Sequence, residues 1–152
     1  MDEFTKIQLL KEEYLHLQNI IERFNGRVIT IKSWSISFSL TALGSAFVSH
    51  SSLVLLIASL SSLLFWIIEG YWKTFQYAYY DRIGKIEKFF EKGTKEIVPL
   101  QIGASWYKRW KSGGLKRLVK ILFWPHVALP HVIIFFIGVI FYILNLFKII
   151  KI

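Results

Sequence analysis

Between Lys32 and Glu69 the chain carries no charged residue. An apolar run from Trp34 to Val48 is followed by His50-Ser51-Ser52, and then by a second run from Leu53 to Ile68. A helix needs about 20 apolar residues to cross a bilayer, with about 17 as the lower limit. Each run reaches that length once its uncharged polar flanks are counted. A single tilted helix across all 35 residues from Trp34 to Ile68 would overshoot any bilayer. The stretch therefore predicts a transmembrane hairpin over 34–72, with spans at about 34–50 and 52–72 and a tight turn at His50-Ser51-Ser52. Composition agrees: 54% of the 152 residues are apolar and 19% charged, too little polar surface to cover a soluble globule and too much apolar surface for disorder.

Residues 4–24 read as an amphipathic helix within a connector region 1–33. Ile7, Leu10, Tyr14, Leu17, Ile21 and Phe24 follow heptad a/d spacing, and Lys6, Lys11, Glu12, Glu13, Glu22 and Arg23 mostly take the other faces. Such a face packs on another helix of this chain or of a sister subunit, or else lies flat on a membrane surface. Asn25-Gly26 predicts its end.

The second span does not stop at the membrane. Trp66, Tyr71 and Trp72 form an aromatic belt at its exit. Trp72, Gln76, Tyr79, Ile83, Ile86 and Phe90 then continue at helical spacing, with Asp81, Arg82, Lys85, Glu87, Lys88 and Glu91 expected on wetted faces. One helix is predicted from about 52 to 92, running on as a stalk within 73–103; Gly84 costs it only about 1 kcal/mol. The stalk is expected to end at Lys92-Gly93-Thr94.

Residues 104–126 are basic and rich in tryptophan: Trp106, Lys108, Arg109, Trp110, Lys111, Lys116, Arg117 and Lys120. This is the composition of a helix in the headgroup region, in contact with anionic lipid. Basic residues between aromatics also suit stacking on bases or gripping a nucleotide phosphate. A last apolar stretch, 127–148, is long enough to span once or to bend at Pro125 and Pro130 and return. Five Lys/Arg precede the first span, twelve lie between 73 and 120, and two follow the last span. The positive-inside rule then puts the N-terminus and residues 73–120 in the cytoplasm and the hairpin turn outside. The start of the chain has no basic n-region followed by an apolar core, so no signal cleavage is expected.

Chemistry is sparse. Without cysteine there are no disulfides, thiolate metal sites or cysteine nucleophiles. His16, His50, His126 and His131 show no metal-ligand spacing, and Pro125-His126 and Pro130-His131 read as polar tips at the interface. No phosphate cradle or nucleophile elbow is present, so no cofactor is expected and an enzyme is the weakest class. The first span is hydroxylated at every fourth position, Ser37, Thr41, Ser45 and Ser49. Small residues at this spacing let helices approach closely, or line a water-filled path between subunits. Glu69, the one acid near a span, either pairs with Lys32, Lys73 or Arg27 or forms an ion-selecting ring in an oligomer.

The stretches Leu15-His16-Leu17-Gln18-Asn19-Ile20-Ile21-Glu22-Arg23, Lys32-Ser33-Trp34-Ser35 and Phe65-Trp66-Ile67-Ile68-Glu69-Gly70-Tyr71-Trp72 sit in a cytoplasmic helix, a tight hairpin and a stalk. Over roughly residues 5–92 this order resembles the small bacterial two-helix membrane proteins of the SLATT type. The resemblance is architectural. It implies an effector that forms a pore or otherwise breaches the membrane when a sensor is triggered, in nucleotide-signalling and anti-phage conflict systems. The combined expectation is an all-α inner-membrane protein with three spans that forms a homo-oligomer, either as a pore or as a non-conducting anchor for a cytoplasmic partner.

Overall fold

Helix formation begins at Asp2, whose carboxylate accepts a hydrogen bond from the Thr5 backbone N–H at 3.2 Å and so caps the first turn. Hydrogen bonding from the Thr5 side chain, and then from its backbone N–H, holds the Asp2 carboxyl below its ordinary value. In the computed structural model, which describes residues 1–93 and 97–152, α1 then runs unbroken over Glu3–Ser49. The expected break at Asn25-Gly26 does not occur. Ending a helix there would strand its last carbonyls, whereas a helical glycine costs about 1 kcal/mol. Asn25 is also engaged, its Oδ1 accepting from Gln76 Nε2 at 2.8 Å and from Lys73 Nζ at 3.3 Å.

The buried stripe on α1 does not keep heptad spacing. Leu10, Glu13, Leu17, Ile21, Val28, Ser35, Ser39, Leu43 and Ala46 are buried. They fall on an 11-residue repeat, with 10, 21 and 43, then 13, 35 and 46, then 17, 28 and 39, in equivalent places. A period of 3.67 residues per turn stays close to the natural helix over 47 residues, where a strict heptad would drift.

At Ser49 the helix closes with His50 in the left-handed region (φ 50°) and the Ser51 N–H bonded back to Ala46 carbonyl at 3.2 Å, a Schellman end. The expected turn is therefore where the sequence put it. Helix α2 spans Leu53–Lys92 and ends at Gly93, again left-handed (φ 60°), with its N–H on the Phe89 carbonyl. Thr94, expected as part of this stop, lies outside the described residues. Along α2 the heptad holds: Leu55, Ser62, Glu69, Gln76 and Ile83 are all buried, as are Ala58 and Ile86. Among the described residues α2 is the one helix long and apolar enough to cross a membrane.

Four shorter helices follow: α3 (Ile102–Lys111), α4 (Gly114–Leu122), α5 (Pro125–Ala128) and α6 (His131–Leu146). The basic segment expected as one helix is thus two, broken at Ser112-Gly113. The last apolar stretch gives a helix of 16 residues, preceded by a cis Leu129–Pro130 bond. No strand occurs among the described residues.

The chain forms two compact units, to both of which α1 and α2 contribute: Met1–Gly26 with Trp72–Leu118, and Arg27–Tyr71 with Val119–Ile152. The first is built on Leu10, Leu17, Ile21, Ile83, Ile86 and Ile97, flanked by Tyr14, Tyr79, Phe89 and Ile102. The second is built on Leu43, Ala46, Leu55, Ala58 and Ile134, and its C-terminal Ile152 folds back onto this cluster.

Candidate functional site

The second unit buries a connected set of polar groups among apolar side chains. Glu69 faces inward from α2 and is fully buried. Lys32 Nζ of α1 lies 2.7 Å from Glu69 Oε1, an ion pair outside hydrogen-bond alignment. The same ammonium donates to the His126 and Leu129 carbonyls at 2.7 and 2.8 Å, satisfying the end of α5. His131, at the start of α6, is also fully buried. Its Nε2 lies 3.0 Å from Glu69 Oε2 and its Nδ1 lies 2.8 Å from Ser35 Oγ on α1.

An ionised carboxylate only accepts, so with Glu69 charged and His131 neutral the imidazole proton sits on Nε2 and Nδ1 accepts from the Ser35 hydroxyl. The result is an ordered carboxylate–imidazole–hydroxyl chain. Two further serines fasten α6 to α2. Ser62 Oγ donates to the His131 carbonyl at 2.8 Å, and Ser59 Oγ reaches the Leu55 and Phe135 carbonyls. The closeness this needs is supplied by Gly138, where an added Cβ would collide with Ser59 Oγ and come within 2.9 Å of the Leu55 carbonyl.

Of the choices open to Glu69, the structure contains the pair with Lys32. The polar-tip role expected for His131 is corrected: it is a buried partner of Glu69 and Ser35. The serines that are buried are Ser35, Ser39, Ser59 and Ser62, not the stripe of Ser37, Thr41 and Ser45 expected as pore or packing candidates. The structure separates these groups. Ser37, Thr41 and Ser45 are exposed, away from the buried Glu69 side chain, and the Thr41 and Ser45 hydroxyls donate to their own helix at Ser37 and Ala42 carbonyls. The missed signal was spacing: Ser35 and Ser39 lie on the 11-residue stripe that contains Leu10 and Leu17.

In the first unit, Leu10, Leu17, Ile21, Ile83 and Ile86 of the expected partner face are consumed within the chain. Phe24 packs on Trp72 and Tyr79 at ring separations of 5.0 and 5.8 Å. Ile7 and Phe90 stay largely exposed and, with Lys11, Tyr14 and Glu87, line a groove of about 370 Å³. Glu13 and Arg82 are not on wetted faces as their charge suggested. They form a buried bidentate pair at 2.7 and 2.8 Å, with Arg82 also on the Val98 carbonyl and Glu13 on the Leu100 N–H.

Of the basic, Trp-rich segment, Trp106 is half-buried, its indole N–H bonded to the Phe75 carbonyl at 3.0 Å and its ring stacked on Trp110. Lys108, Lys111, Lys116 and Lys120 are exposed, while Arg109 and Arg117 both lie against Tyr77. Among the described residues no cluster of three or more His, Asp or Glu could hold a metal.

Fold and site together define a protein that is all-helical among the described residues, with one long apolar helix there and a buried, internally neutralised ionic network. No protein family, curated protein or solved structure matches the chain.

Proposed function

We propose that the chain is an integral protein of the bacterial inner membrane that assembles with copies of itself and acts as a pore-forming or membrane-disrupting effector. Its N-terminus and residues 73–120 face the cytoplasm, in keeping with the twelve Lys/Arg of that region. The observation that carries the reading is the inversion of polarity in the second unit. Charge is neutralised inside by Lys32 and Glu69, while Phe38, Leu40, Leu60, Leu64, Phe136 and Ile140 are exposed. Large apolar side chains exposed in this number around a buried charge pair suit a lipid-covered surface. The 16 residues of α6 rise about 24 Å, short of a hydrocarbon core of about 30 Å, so α5 or the tail must complete that span.

Against this apolar exterior, Ser37, Thr41 and Ser45 mark the face of α1 suited to a sister helix. Two or three spans cannot surround water alone, so conduction requires the oligomer. Induced expression in cells, with its genomic neighbours present, should lower the membrane potential, and Ser37→Leu with Thr41→Leu should abolish the effect. An unchanged potential in wild-type cells, with and without those neighbours, would end the pore reading.

The groove lined by Ile7, Lys11, Tyr14, Glu87 and Phe90 favours a second reading, a non-conducting anchor that holds a cytoplasmic protein partner. It calls for a hetero-complex that survives mild solubilisation and is lost on Phe90→Glu. In that case Ser37→Leu and Thr41→Leu are without effect.

A further inference from the structure

The junction of α3 and α4 holds two like charges on one tyrosine ring, and among the described residues neither is in ion-pair contact with a carboxylate. The Arg109 and Arg117 guanidinium carbons lie 5.6 and 5.5 Å from the centre of the same Tyr77 ring. Arg117 is fixed there by donating to the Arg109 carbonyl at 2.6 Å and to Ser112 Oγ at 3.3 Å. Its guanidinium also fills the space over Gly113, which an added Cβ would occupy. Ser112 in turn donates to the Arg109 carbonyl at 2.8 Å, closing the turn. Among the described residues neither arginine has a carboxylate within ion-pair distance, and Asp81, the nearest acid to act on Arg117, pairs with Lys85 at 2.6 Å. Burial and the neighbouring Arg109 charge both hold the Arg117 guanidinium below its usual value.

Two of the five Arg117 donors are used inside the chain, and the Arg109 guanidinium makes no hydrogen bond to the described residues. Preorganised guanidiniums with free donors match phosphate oxygens. Lys108, Lys111 and Lys116 are exposed nearby in sequence and add to the positive field. Leu115, 72% exposed, and the partly exposed Trp110 flank the pair in sequence and add apolar surface of the kind that enters a headgroup layer.

We propose that Arg109 and Arg117, set on Tyr77 at the α3–α4 junction, bind the phosphate of an anionic phospholipid headgroup. Free phosphate shares this chemistry, and the flanking Leu115 and Trp110 select the lipid source. The site rests on the membrane reading above.

The test uses the full chain purified from membranes in mild detergent, with phosphatidylglycerol and phosphatidylcholine titrated in and bound lipid counted by native mass spectrometry. Wild type should prefer phosphatidylglycerol. Arg109→Gln with Arg117→Gln should weaken that binding by about tenfold or more, whereas Lys108→Gln with Lys111→Gln should change it far less. Arg109→Gln alone, at a side chain without internal hydrogen bonds, should give part of the loss with an unchanged melting temperature. Equal losses in the two double variants would overturn the site in favour of diffuse charge. Displacement of the lipid by millimolar inorganic phosphate would overturn the lipid assignment. A chain absent from the membrane fraction would instead overturn the membrane reading.

Discussion

Removing the Glu69 carboxylate tests whether the buried network holds α6 against the hairpin. In Glu69→Ala the Lys32 ammonium loses its counter-charge and the His131 Nε2–H loses its acceptor, both beside fully buried atoms. Breaking a buried pair by deleting one partner costs about 3–5 kcal/mol. Lys32 is 23% exposed and keeps its two carbonyl acceptors, which places its part near the lower end. The orphaned imidazole N–H adds about 1–3 kcal/mol. A net loss of about 4 kcal/mol corresponds to a fall in melting temperature of roughly 10 °C for a chain of this size. Glu69→Gln keeps the shape and one acceptor and should lose about half as much. The assay is thermal unfolding of the detergent-solubilised protein, followed by circular dichroism. A cycle with Lys32→Met sharpens it, because Lys32→Met should cost distinctly less in the Glu69→Gln background than in wild type. A Glu69→Ala shift below about 2 °C, or strictly additive costs in the cycle, would refute the reasoning.

Other consequences can be measured on the same preparation. Gly138→Ala, which drives a methyl into Ser59 and the Leu55 carbonyl, should destabilise by about 1–3 kcal/mol, while Gly84→Ala, with open space around it, should gain up to about 1 kcal/mol. Glu13→Ala strands the Arg82 guanidinium and the Leu100 N–H and should cost about 3–5 kcal/mol, with faster amide exchange at Val98 and Leu100. Tyr79, wedged between Phe24 and Trp106, has its hydroxyl pKa raised above 10.0 by burial. The unfolded chain therefore ionises first, so stability present below about pH 10 should be lost as pH climbs toward the folded value, and Tyr79→Phe should flatten that decline.

The helical architecture was largely legible because its signals are local. The uncharged run, the His50-Ser51-Ser52 turn, the stop at Gly93 and the α2 heptad each rest on a few neighbouring residues. What escaped was decided by tertiary pairing. Glu13 and Arg82 read as surface charges because charge alone marks a wetted position, and only the fold shows that they neutralise each other. On α1 the expected face does supply Leu10, Leu17 and Ile21 to the core, with Tyr14 packed beside them, but Glu13 reads as an exposed position, which hides the 11-residue repeat that carries Ser35 and Ser39 inward. Glu69 was singled out as a lone acid beside an apolar run, and Lys32 was among its possible partners. His131 is 62 residues away and has no local pattern to announce it. The continuity of α1 through Asn25-Gly26 likewise depends on Gln76 and Lys73, which no local rule connects to Asn25.

Self-association is most directly tested by the mass of the purified protein in detergent, corrected for bound detergent. A closed homo-oligomer of about four or more chains is expected, dispersing when Ser37 and Thr41 are replaced by leucine. A monomer or simple dimer would leave too few helices to surround water and would contradict the pore.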